Sequence, residues 1–218
     1  MVYHLAGGNT DYDPTLMELP STSFEAMDGN IDKFELEDST QDDGGLIMRR
    51  SLSAGRPVRV DENIPTKLLR HGPGIKRAKL LDVNQWLGFL VCQTFKDIVE
   101  EFEPGVHQFF PMEYFDAKGE KKIGEGYWLV ICQRLDTLHD TLCIPPRNAR
   151  GFMDWHNEAL KDRDKSLDRV VFSKEKIRSH HMWKDKFHSP ANLFSNELAE
   201  RLIEAGLTGL YARKYEEA

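Results

Sequence analysis

The twenty residues from Asn192 to Tyr211 constrain the fold more than any other part of this 218-residue chain. They read as a strand end, a capped helix, a glycine stop and a second strand. Ser195 is the natural N-cap, because its hydroxyl can accept from a free backbone N–H of the first turn. Glu197 follows inside that turn, where the helix dipole favours an anion. Leu198, Leu202 and Ile203 fall on one face at helical spacing. Gly206 supplies the left-handed residue that stops the helix, and Leu207 folds back onto the last turn. The pattern predicts a helix over Asn196–Ala205 and a closing strand over Leu210–Tyr215.

The longest apolar periodicity lies upstream. Val83, Trp86, Leu87, Leu90, Val91, Phe95, Ile98, Val99 and Phe102 form a continuous stripe at helical spacing. With Asp82 as cap and Pro104-Gly105 as stop, the stripe predicts one long amphipathic helix over Val83–Phe102. Glu100, Glu101 and Glu103 crowd its C-terminal end, where the dipole opposes anions. Either water screens them or they form an acidic patch for a basic partner.

The remaining elements read as strands. Tyr3-His4-Leu5, Phe34–Glu37 and Leu46–Met48 are short candidates. Val106–Phe115 is aromatic, and its Pro111 suits an edge or a bulge. Asp116–Gly119 turns the chain into Tyr127–Cys132, too continuously apolar for a strand with one wet face. Arg169–Phe172 is a further strand. Residues 53–80 read as an irregular connector, with at most a short helix over Thr66–Arg70. The expectation is an α+β fold in one domain, residues 1–218. A mostly antiparallel sheet is packed by the long amphipathic helix and the capped C-terminal helix. Residues 9–45 form an acidic, loop-rich part, and the core runs over 80–218 with a polar insertion near 145–168.

No apolar run approaches the roughly 20 residues that cross a bilayer. The N-terminus lacks the basic start and long apolar stretch of a secretory signal, so a cytoplasmic protein is expected. Cys92, Cys132 and Cys143 lack the paired spacing of a zinc site and read as reduced, buried thiols, Cys92 on an apolar helix face. Of a net charge of −7, eleven acidic residues and a single lysine, Lys33, fall between Asn9 and Met48. That balance disfavours nucleic acid, whose phosphates need clustered Lys and Arg. It leaves a solvated segment or a surface for a basic partner.

Chemistry-bearing motifs are few. His180, His181 and His188 lie near Asp185, but adjacent histidines on a strand point to opposite faces, and no His-Glu-x-x-His occurs. Cys143 with His139 or His156 could pair as nucleophile and base only if the fold brings them into contact. Gly72-Pro73-Gly74-Ile75-Lys76 and Gly124-Glu125-Gly126 are incomplete as phosphate and dinucleotide loops. No Gly-x-Ser-x-Gly elbow is present. No catalytic, cofactor or metal residue is assigned.

The wording of the closing block is more specific than its grammar. Ser-x-Glu-Leu-x-x-x-Leu followed by Glu-Ala-Gly-Leu-Thr-Gly-Leu resembles the closing signature of a large family of bacterial immunity proteins. These are encoded beside polymorphic toxins and were formerly a domain of unknown function. Val170–Ile177 resembles the family's Val-Phe-x-x-x-Lys-Ile element, and His181-Met182-Trp183-Lys184 resembles its next strand. The resemblance implies a non-enzymatic protein that binds and neutralises a cognate protein toxin. It implies no catalytic residues and no particular interface. Residue chemistry nominates two surfaces. One is the acidic stretch with Asp38, Asp42 and Asp43, facing a basic toxin cleft. The other is Ser179–His188, with His181, Trp183 and Phe187 as contacts. The alternatives are a small cytoplasmic hydrolase with an unidentified site and a regulatory protein-binding module.

Overall fold

The computed structural model describes residues 1–7, 23–39, 52–71, 80–155, 164–188 and 192–218. In chain order the elements are β1 (Val2–Gly7), β2 (Ser23–Ala26), β3 (Lys67–His71), β4 (Val83–Gln85), β5 (Phe89–Val91) and α1 (Gln93–Phe102). Then come β6 (Gln108–Phe115), β7 (Lys122–Val130), β8 (Arg134–Leu135), β9 (Val171–Phe172) and α2 (Lys174–Ile177). The last are β10 (Met182–Asp185), β11 (Leu193–Ser195), α3 (Asn196–Glu204) and β12 (Leu210–Glu217).

The strands form two six-stranded sheets rather than one, ordered β8-β10-β11-β1-β12-β9 and β2-β3-β6-β7-β5-β4. The pairs β8/β10, β9/β12 and β3/β6 are parallel and the other neighbours antiparallel. The fold is therefore α+β and dominated by sheet, as expected.

Strand alternation divides the interior. Tyr3 and Leu5 of β1, Phe89 and Val91 of β5 and Leu129 of β7 enter a main core. Phe95, Ile98 and Val99 of α1 close it together with Leu198, Ala199 and Leu202 of α3. Trp128 and Val130 of β7 point the other way, into a second core with Phe34, Leu68 and Met112. Both faces of β7 are thus covered over Trp128–Val130, which accounts for the unbroken apolar sequence there. Val2, Trp183 and Leu193 line a third core with Leu138, Cys143 and Phe172.

The long helix is the main correction. Its first half is a β-hairpin, with Val83 paired to Val91 and Gln85 to Phe89, and α1 has only ten residues. The apolar positions satisfy both periodicities, so burial alone could not choose. The turn chose: Leu87 takes φ 42° and Gly88 φ 106°, conformations that end a helix and that glycine adopts readily. Cys92 accordingly stands at the N-cap of α1 rather than on a helix face. The second correction is β3, a strand where a short helix over Thr66–Arg70 was expected; it pairs with β2 and β6. Phe34–Glu37 contributes only the isolated bridge of Leu36 to Val58. The strand expected over Leu46–Met48 lies outside the described residues.

The closing block folds as read. Ser195 Oγ accepts the Leu198 N–H at 3.2 Å, and Gly206 takes φ 67°. The residues after it carry a further function in the fold. The Asp82 carboxylate accepts from the Thr208 N–H at 2.9 Å and from its hydroxyl at 2.6 Å. The Val83 N–H donates to the Thr208 carbonyl at 3.0 Å. Gly209, at φ 79°, passes so close that a Cβ there would lie 2.3 Å from the Val83 carbonyl oxygen. Gly209→Ala is expected to destabilise the protein by about 2 kcal/mol, through left-handed strain plus this clash. Thermal unfolding checks it, and an unchanged melting temperature would mean the loop can shift freely.

Candidate partner-binding surfaces

The segment Ser179–His188 is mostly a structural girder. Trp183 is 0 % exposed, and its indole Nε1 donates to Thr137 Oγ1 at 2.9 Å. It is a core residue, which corrects its assignment as a surface anchor. Asp185 is buried as well. Its carboxylate accepts from Thr137 N at 2.6 Å, Thr137 Oγ1 at 2.7 Å and Phe187 N at 2.7 Å. Phe187 is half-buried, edge-on to Phe152 and under the Arg147 guanidinium. His188 sits between the rings of Phe172 and Tyr215. Among the described residues, no three His, Cys, Asp or Glu side chains gather where a metal ion could be held.

His181 is half-buried, with Nδ1 2.9 Å from Ser195 Oγ. The pair borders a pocket of about 310 Å³ with His180, Arg178 and Glu197. Ser195 is itself buried, and its oxygen already caps α3. The contact therefore ties β10 to α3, and Ser195 is poorly placed to attack an external substrate. The Cys143 thiol donates to the Val171 carbonyl at 3.3 Å. Burial pushes its pKa up, away from the thiolate a nucleophile needs. The Cys132 thiol is likewise pushed up to about 11 by burial. His156 lies outside the described residues.

Of the acidic stretch, Asp38 is exposed and accepts from Arg56 Nη1 at 3.0 Å. Asp42 and Asp43 lie outside the described residues. Glu103, expected in a wet or partner-facing patch, is buried instead. One carboxylate oxygen accepts from Gln133 Nε2 at 2.6 Å and His181 N at 2.8 Å. The other accepts from Met182 N at 2.9 Å and faces His107 Nε2 at 2.9 Å. His107 Nδ1 accepts from Cys132 N at 3.1 Å, which leaves Nε2 to donate to Glu103. Burial alone would raise the Glu103 pKa, but these bonds outweigh it and hold the carboxyl below its ordinary value. Sequence could not reveal this site, because apart from His107 its donors, Gln133, His181 and Met182, lie far along the chain.

His4 carries a related signature. Burial first, then the charges of Lys184, His188 and Arg213, lowers its pKa from 6.5 to about 4. The folded protein thus keeps His4 neutral where the unfolded chain would protonate it. Its contribution to stability is complete above pH 6.5 and is lost progressively as pH falls towards 4. Denaturant unfolding across that window checks this, with a shallower slope expected for His4→Gln.

An open groove of about 520 Å³ lies on the second sheet. Its floor is β6 and β7, with Pro111, Gly126 and Tyr127, and its walls are Thr66 and Gln93. Tyr127 Oη donates to Gln93 Oε1 at 2.5 Å, and Lys96 Nζ lies 4.4 Å from the Tyr127 ring centroid. Glu113 and Glu125 stand directly opposite each other across the strand pair. Lys122 Nζ bridges them, 2.8 Å from each carboxylate.

No helix among the described residues is long and apolar enough to cross a membrane. No curated protein matches the chain. The model of the Imm11 immunity protein family matches residues 17–217. That match takes in α1, the whole second sheet, every strand of the first sheet except β1, and the whole closing block, and the chain belongs to the immunity protein family Imm11.

Proposed function

We propose that this protein binds a cognate bacterial protein toxin and neutralises it by occlusion, without catalysing a reaction, in the cytoplasm of the cell it protects. The family match over residues 17–217 carries this reading. The chemistry of the described residues accords with it. Ser195 Oγ is engaged by the Leu198 N–H as the cap of α3 and by His181, and the Cys143 thiol is buried with a raised pKa. Neutralisation by binding needs a rigid surface of matching shape and charge, and in this reading the two sheets with their packed helices are the scaffold that carries it.

Co-expression with the toxin encoded beside this chain tests the reading. Restored growth together with a stable complex on pull-down is the expected result. Restored growth with no complex at any protein ratio would replace it with enzymatic reversal of the toxin's damage. Neither rescue nor complex would refute that toxin as the target.

A further inference from the structure

Resting on the toxin-binding reading, we infer that an extended, carboxylate-bearing segment of the toxin adds to the first sheet as a further strand, along the outer edge of β12 at Leu210–Lys214. The main chain itself points there. On one side β12 runs against β1 in unbroken register, from Val2 opposite Tyr215 to Gly7 opposite Leu210. On the other side β9 pairs only with Glu216 and Glu217. The Ala218 N–H donates to the Phe172 carbonyl at 3.0 Å and the Ala218 carbonyl accepts from Lys174 N at 2.8 Å, so Ala218 faces β9. Alternation along the strand turns the backbone groups of Lys214, Ala212 and Leu210 to that same side. No strand meets them there among the described residues. The chain ahead of β9 is held away, because the Arg169 N–H and carbonyl are both bonded to Ile144, each at 2.9 Å. The edge thus presents N–H groups and carbonyls at strand spacing over about 13 Å.

The occupant that matches such an edge is a strand, because an extended chain offers acceptors and donors at the same spacing. Edges that must stay unpaired are commonly very short, bulged or interrupted by proline; β12 has eight residues, no proline and no break in register. A groove of about 270 Å³ opens where Asp168–Val170 parts from β12, and Trp155, 40 % exposed, stands beside it. It gives the side chains of an added strand an aromatic wall. Charge then selects the strand. Arg213 and Lys214 are exposed on opposite faces of β12, each 5.2 Å from a ring centroid, those of Tyr215 and Tyr3. Neither cation forms an ion pair among the described residues. Like charges across a ladder oppose pairing and opposite charges favour it, so these two reject a basic strand and accept one carrying Asp or Glu. A second copy of this chain fits less well. Because β9 occupies Glu216 and Glu217, a second β12 would have to pair along Leu210–Lys214, gathering four cations on one pair of strands.

The test is titration calorimetry and amide hydrogen exchange of the full chain with the toxin encoded beside it. In the free protein the amides of Ala212 and Lys214 should exchange fast, and those of Tyr211 and Arg213, paired to β1, slowly. Toxin should slow Ala212 and Lys214 at least about tenfold. Ala212→Pro removes only an outward N–H, so it should melt near wild type yet weaken the complex at least about tenfold. Ala212→Val keeps that N–H and should bind like wild type. Lys214→Glu should weaken the complex, and tighter binding would overturn the acidic occupant. If the toxin binds while Ala212 and Lys214 exchange as in the free protein, the docking edge is overturned and the toxin reading stands. A folded Ala212→Pro that binds as tightly as wild type overturns it equally; should that variant not fold, exchange in the wild type decides. If the wild type does not bind at all, the toxin reading fails first and the edge with it. Slowing of the same amides at raised protein concentration without toxin would overturn the toxin as occupant in favour of a second copy.

Discussion

Glu103→Gln is expected to destabilise the protein by about 3–5 kcal/mol, the range for breaking a buried charged network by removing one member. The carboxylate accepts from four groups: His107, Gln133 and the backbone N–H groups of His181 and Met182. A carboxamide has one accepting oxygen, and its NH₂ would face donors. Each buried donor left without an acceptor costs about 1–3 kcal/mol. Because the folded carboxyl is held below its ordinary pKa, its contribution is present at neutral pH and is lost as pH falls through the folded value. Urea unfolding should show the full gap between wild type and variant near pH 7 and a narrower one in acid. A variant within about 1 kcal/mol of wild type at pH 7 would remove Glu103 from the forces that fix the end of α1.

Trp183→Ala is expected to cost a similar amount, about 3–5 kcal/mol, by leaving a large cavity. Trp183 is among the largest fully buried side chains, and its loss also leaves Thr137 Oγ1 without the indole donor. The same substitution discriminates core from interface. Stability should fall steeply in denaturant while the remaining folded protein binds the toxin as tightly as wild type. Weakened binding at unchanged stability would restore Trp183 to the surface role that its sequence context invited.

What the chain disclosed in advance depended on how far apart the deciding residues lie. The helix from Ser195 was legible because its cap, amphipathic face and glycine stop fall within twelve residues. The hairpin of β6 and β7 was legible for the same reason. Asp116 organises its tip by accepting from the N–H groups of Glu120 and Lys121 at 3.0 and 3.3 Å. Pro111 sits on a stretch of β6 that β3, paired only at Glu113–Phe115, leaves unpaired, as a residue without an N–H requires. The region Val83–Val91 misled because so many of its residues are apolar that helix and strand bury equally well. Gly88 was the one local sign of a turn, and the partner strand β7 decided the outcome. β3 was hidden because Lys67, Arg70 and His71 disguise a strand whose Leu68 is fully buried. The candidate surfaces fared similarly. Asp38 is exposed as its charge predicts, whereas the aromatic weight of Ser179–His188 reports the third core. The pairing of Glu113 with Glu125 follows from strand register, which no single stretch of sequence encodes.

The placement of β1 has a consequence for the order of assembly. β1 lies between β11 and β12, with Val2 opposite Ser195 on one side and Tyr215 on the other. The second sheet, by contrast, draws all its strands from residues 23–130. During synthesis at about 5–20 residues per second, β1 leaves the ribosome on the order of 10–40 s before either neighbour exists. The second sheet can pair in that interval, while β1, with Tyr3 and Leu5 destined for the main core, must wait exposed. β1 is thus made long before the strands that pair with it, and a chaperone that shields it early would serve this protein more than one acting on the completed chain.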